Sequence, residues 1–249
     1  MFGSVLAGIS LAFFTITSTA SAQDVNRVAQ PEVAIPLAKC TGTEACTGIV
    51  DLSQVGDGSC NGNYSCYHTS PYTGTIGANS CNGDGSSVCS RAAGPIGNNS
   101  CNGIQACYFA AGSIGNSSCI DDRACQQSAG SIGAGSCIGV VACQQSAGSI
   151  GAGSCNGIGA CIGAAGPIGA DSCIGANSCN GAAGPIGNNS CNGIQACYFA
   201  AGSIGNNSCN TIGTACQAAG TFPVGDCQHN DVTPAACPIP RAYLPLIQR

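Results

Sequence analysis

The residues best equipped for chemistry in this chain are its 22 cysteines, and most of them keep a fixed beat. Cys101, Cys107, Cys119, Cys125, Cys137, Cys143, Cys155, Cys161, Cys173, Cys179, Cys191, Cys197 and Cys209 are separated alternately by six and twelve residues, a period of eighteen. Thiols at such spacing could hold a metal, attack a substrate or close disulfides. Tight zinc sites use C-x2-C or C-x2-4-C spacing with further Cys or His. Here five residues separate each pair and His68 and His229 are the only histidines, so neither a metal nor a cofactor is expected. Disulfides remain, and two pairings fit the usual Cα separation of ~4.4–6.8 Å. One joins each Cys to its i+6 partner, the other to the equivalent Cys one repeat away. Pairing within the repeat treats every repeat alike, and the cysteines arrive in twos even where the spacing slips. The expected pairs are Cys40–Cys46, Cys60–Cys66, Cys81–Cys89, Cys101–Cys107, Cys119–Cys125, Cys137–Cys143, Cys155–Cys161, Cys173–Cys179, Cys191–Cys197 and Cys209–Cys216, with Cys227–Cys237 in a terminal cap.

Catalytic constellations are not expected. No nucleophile elbow, P-loop or HExxH occurs. Ser100, Ser118 and Ser136 recur in every repeat, so each is a packing or surface position. His68 reads as a solvent-facing loop residue. Asp121, Asp122 and Arg123 are consecutive and read as a solvated turn. A non-enzymatic chain follows.

The elements that carry these residues are short repeats with the consensus S-C-[NI]-G-x-x-A-C-x-x-x-A-G-[SP]-I-G-x-x. Earlier repeats start at Cys40, Cys60 and Cys81 and run two or three residues longer. Each repeat holds about four glycines, which makes a helix untenable at ~1 kcal/mol per interior Gly. Strands of two to four residues between turns are expected instead. The fold class is therefore all-β: a parallel β-solenoid, or β-helix, of about ten coils of 18–21 residues over 40–216, with the handedness left open. The segment AAGPIGNNSCNGIQACYFAAGSIGN occurs at 92–116 and again at 182–206, so the array grew by duplicating blocks of coils.

The ends differ. Residues 1–22 read as a signal peptide, with an apolar stretch from Val5 to Ile16 and the small-x-small site Ala20-Ser21-Ala22. Residues 23–39 form an N-terminal segment and 217–249 a C-terminal cap. Secretion and cysteine usage place the chain outside the cell in an oxidising space. No later apolar run approaches the ~18–20 residues that span a bilayer. Between Ala92 and Asn206 the only charged residues are Asp121, Asp122, Arg123 and Asp171, which excludes the clustered Lys and Arg that nucleic acid requires. Sequons at Asn63, Asn98, Asn116, Asn188 and Asn206 are candidate N-glycosylation sites.

The triplets Ser100-Cys101-Asn102 and Ser118-Cys119-Ile120 resemble the disulfide-stapled solenoid of beetle antifreeze proteins, which pairs cysteines six apart in shorter coils. That family presents Thr on both outward flanks of the cysteine. Here the flanks, taken as outward, are Ser and a mixture of Asn and Ile. Ile-Gly-Asn-Asn-Ser-Cys at 186–191 resembles the hexapeptide pattern of left-handed β-helices. The SCNG-type repeats over about 40–216 resemble uncharacterised secreted proteins of microbial eukaryotes, which implies fold and secretion. The functional expectation is a secreted structural or surface protein for matrix, wall or adhesion. The alternative is a module that binds a repetitive ligand, ice or a polysaccharide, on one face. Candidate partners are a polysaccharide, ice or another copy of the chain.

Overall fold

The computed structural model describes residues 38–68, 72, 74–83, 87–210 and 216, all within a compact unit spanning Pro36–Arg249. The expected signal peptide, the expected C-terminal cap and the expected pair Cys227–Cys237 lie outside the described residues.

The eighteen-residue period becomes a stack of coils joined by backbone hydrogen bonds. Ile114 N–H donates to Pro95 O at 2.9 Å in the preceding coil, and Gly97 N–H donates to Ile114 O at 2.8 Å. Cys125 N–H reaches Ala106 O at 2.7 Å on another side of the same coil. One aliphatic column runs through the stack by parallel bridges from Val55 to Ile76, Ile96, Ile114, Ile132, Ile150, Ile168, Ile186 and Ile204. Each member is at most 4 % exposed. A 3-10 turn, Leu52–Gln54, capped by the Asp51 carboxylate on Ser53 N–H, fills the longer return of the first coil.

Where strands of two to four residues are expected, the described residues carry isolated one-residue bridges. The reason lies in the backbone. In the coil of Cys101, φ is 55° at Asn99, 58° at Cys101, 56° at Gln105 and 57° at Phe109. Left-handed residues at such short intervals interrupt extended chain before a strand can lengthen. The first cysteine of every described pair takes this conformation, with φ from 58° to 60° at all ten, from Cys40 to Cys209. An L-residue there costs roughly 1–2 kcal/mol. The surrounding staple and inter-coil bonds hold it.

Six positions of the Cys101 coil face inward: Ser100, Cys101, Ala106, Cys107, Ala110 and Ile114 are all buried. The same set repeats upward with small changes. Ser128 and Ser146 replace the second alanine, and each donates its hydroxyl to a carbonyl of its own coil, Cys125 O or Cys143 O, at 2.9 Å. Ser178 replaces the first alanine and its buried hydroxyl has no hydrogen-bond partner.

The serine before each first cysteine, taken from the sequence as outward, is instead buried. Ser100 Oγ donates to Gly115 O, fifteen residues on, at 2.7 Å and accepts from Ser118 N–H of the next coil. Ser118, Ser136, Ser154, Ser172 and Ser190 repeat this link. Left-handed φ at both Asn99 and Cys101 turns the chain sharply, so Ser100 does not alternate outward as it would in a strand.

Candidate functional site

Ten disulfides occupy the centre of the stack, each within its own coil: Cys40–Cys46, Cys60–Cys66, Cys81–Cys89, Cys101–Cys107, Cys119–Cys125, Cys137–Cys143, Cys155–Cys161, Cys173–Cys179, Cys191–Cys197 and Cys209–Cys216. Their Cα atoms sit 5.4 Å apart in Cys119–Cys125 and 6.1 Å apart in Cys209–Cys216, within the ordinary disulfide range. Sulfurs of successive coils approach one another, as in Cys101, Cys107 and Cys119, whose Sγ atoms all lie within 4.8 Å. These sulfurs are committed to disulfides, whereas a metal-binding cysteine must be a thiolate. The sulfur column is a structural centre.

His68 departs from its sequence reading. It is 7 % exposed, its ring stacks on Tyr72 with centroids 4.3 Å apart, and its buried Nε2 has no hydrogen-bond partner. Burial pushes its pKa down to about 4, so the ring is neutral at physiological pH. The Tyr72 hydroxyl donates to Gly94 O at 2.8 Å, and burial raises its pKa to about 12. The pair packs one irregular coil. Asp121, Asp122 and Arg123 are exposed, and Asp122 Oδ1 accepts from Ile104 N–H of the coil before it at 2.9 Å. That carboxylate serves the stack.

The asparagines fall into two columns with different habits. Asn102, Asn156, Asn192 and Asn210 use both ends of the amide on the preceding coil. Asn192, for example, donates Nδ2–H to Asp171 O at 2.9 Å, and its Oδ1 accepts from Ile174 N–H at 3.1 Å. The sequon residues engage only oxygen. Oδ1 of Asn63, Asn98, Asn116, Asn188 and Asn206 accepts from Thr43, Ala78, Asn98, Ala170 and Asn188 N–H respectively. All five are exposed, and their Nδ2 atoms make no hydrogen bond among the described residues. A glycan on Nδ2 leaves the acceptor intact.

An aromatic strip was not singled out from the sequence. Tyr108 and Phe109 form an edge-to-face pair with centroids 4.5 Å apart, and Tyr198 and Phe199 repeat it at 4.4 Å. Phe109 is 41 % exposed and Phe199 58 %. The coils between put Gln126–Gln127, Gln144–Gln145, Ile162–Gly163 and Asn180–Gly181 in the same row. Register is fixed by backbone bonds from Gln127 N–H to Tyr108 O, Gln145 to Gln126, Gly163 to Gln144, Gly181 to Ile162 and Phe199 to Asn180. Amides stack along it, with Gln144 Nε2 2.6 Å from Gln126 Oε1 and Gln145 Nε2 3.2 Å from Gln127 Oε1. The signal was available in the duplicated segment, where Tyr-Phe follows the second cysteine and other coils place Gln-Gln.

No curated protein and no solved structure matches the chain. Among the described residues no helix is long and apolar enough to cross a membrane. The family described as a domain of unknown function (DUF7640) matches residues 20–141 and again 136–232, so two successive lengths of the family pattern overlap within the repeat array. Together they cover residues 20–232 without a gap, and the chain belongs to that family.

Proposed function

We propose that this is a secreted, non-enzymatic structural protein whose residues 40–216 form an all-β parallel β-solenoid and serve as a durable element of a matrix, wall or adhesive surface. The observation that carries the reading is the repetition of one disulfide in every described coil, buried in all but the first. Disulfides persist in oxidising compartments, and a chain-entropy account gives roughly 2 kcal/mol for each loop of this length. A coil built largely of Gly, Ala and Ser has little apolar area to bury, so these staples carry a large share of its stability. The exposed, oxygen-only sequon asparagines support a glycoprotein, with sugars along one edge of adjacent coils.

Fractionating the native source with an antibody to the repeat tests this. The expected result is a cell-free matrix or wall fraction holding a protein that resists protease until it is reduced, and that loses mass on enzymatic removal of N-glycans. A cytosolic protein with free thiols overturns the reading. An unchanged mass after N-glycan removal overturns the glycoprotein element alone.

A further inference from the structure

Because 92–116 and 182–206 are identical, the Tyr-Phe pair is presented twice, five coils apart along a single row. At the ~4.8 Å of parallel pairing, the pads stand about 24 Å apart. Neither phenylalanine is needed by the core, since the same position holds Gln127, Gln145, Gly163 and Gly181 in the coils between. Each ring has a defined bed. A side chain at Gly181 would run into the Phe199 ring, so that ring lies over bare backbone. The Arg91 guanidinium sits 5.0 Å from the Phe109 ring centroid. With these neighbours in place, Phe109 is still 41 % and Phe199 58 % exposed.

We propose that this row binds one extended chain of a neutral polysaccharide, clamped at both aromatic pads. A half-exposed ring offers a flat apolar platform that matches the C–H face of a pyranose, while side-chain amides match hydroxyls as donors and acceptors. The Gln126–Gln127 and Gln144–Gln145 amides lie between the pads with hydrogen-bonding capacity left over from their ladder. Apart from Arg91 beside one pad and Arg123, residues 91–206 carry no Lys or Arg, which favours a neutral polymer over an anionic one. A row one residue pair wide, with the same pad at each end, suits an extended repeating chain better than a folded protein. Two linked sites gain by avidity, because the second pad binds intramolecularly. The inference adds a ligand to the scaffold reading without resting on it.

The test is co-sedimentation and calorimetry of the full-length protein with cellulose, chitin, β-1,3-glucan and mannan, alongside their short oligosaccharides. At least one neutral polymer binds. Phe109→Ala and Phe199→Ala each weaken polymer binding by about tenfold or more, and the double variant loses it. Phe199→Tyr retains it. Oligosaccharides too short to bridge the pads bind the wild type at two sites and either single variant at one. An unchanged disulfide map shows that the variants fold. Failure to bind any of the four polymers, equal binding by the double variant, or binding confined to anionic polymers, to ice or to a second copy of the chain overturns the proposal. None of these outcomes alters where the native protein is found, so the scaffold reading is judged separately.

Discussion

Two buried side chains make the residue-scale argument measurable. Ser178 sits where Ala160 and Ala196 sit in the coils on either side, yet its hydroxyl is buried and unpartnered. An unsatisfied buried hydroxyl costs roughly 1–3 kcal/mol. Ser178→Ala removes that penalty and restores the column, so chemical denaturation should show a stabilisation of about 1 kcal/mol. His68 works in the opposite sense. The fold holds it neutral, with its pKa lowered from 6.5 to about 4 by burial. As pH falls from about 6.5 towards 4, the unfolded chain binds the proton first, so stability declines through that window and levels off below it. Melting temperatures across the window should fall more steeply for the wild type than for His68→Phe, which keeps the ring against Tyr72 and removes the titration. Neither residue was legible beforehand. Ser178 looks like any serine of a Ser-rich chain, and burial of His68 goes with the stacking of Tyr72, four residues on in the same irregular coil.

At the scale of the coil, the sequence was informative about what closes it and poor about which way its side chains point. Pairing within coils follows from cysteines that always come in twos, and Cys81–Cys89 and Cys209–Cys216 form despite spacings of eight and seven. The orientation of Ser100 did not follow, because strand alternation assumes extended residues, and here Asn99 and Cys101 are left-handed. The isolated bridges have the same cause. Glycine marks where coils touch most closely. A Cβ on Gly112 would run into the carbonyl of Gly130, with Gly130 C at 2.5 Å and Ser131 N at 2.6 Å, all backbone that cannot move aside without parting two coils. Gly112→Ala should cost about 3 kcal/mol, read as a lower denaturation midpoint with accelerated hydrogen exchange in the two coils that meet there.

For the whole molecule, the relevant property is that each coil bonds to the one before and the one after. Stability then approximates a sum of coil terms and interface terms. Excising residues 137–154 removes one coil and rejoins Ser136 to Cys155, recreating the Ser-Cys that opens each coil from Cys60 onward. The shortened protein should fold with its remaining disulfides unchanged, and its denaturant m-value should drop by roughly a tenth. Excising only 137–145 removes Cys137 and Cys143 while leaving half a coil, and should give misfolded protein with scrambled linkages on peptide mapping. The period and the in-coil pairing were readable from the chain. The aromatic row was not, because its members lie far apart in sequence and only the register of the stack lines them up.

The duplicated segment gives the stack one more property. Each coil placed between the two Tyr-Phe pads moves them apart by a fixed step of about 4.8 Å. A copying event that inserts or deletes whole coils leaves every remaining staple in place and resets that distance. Repeat number therefore acts as a ruler. Homologous arrays of different length would grip their ligands at different intervals, with no side chain of either pad altered.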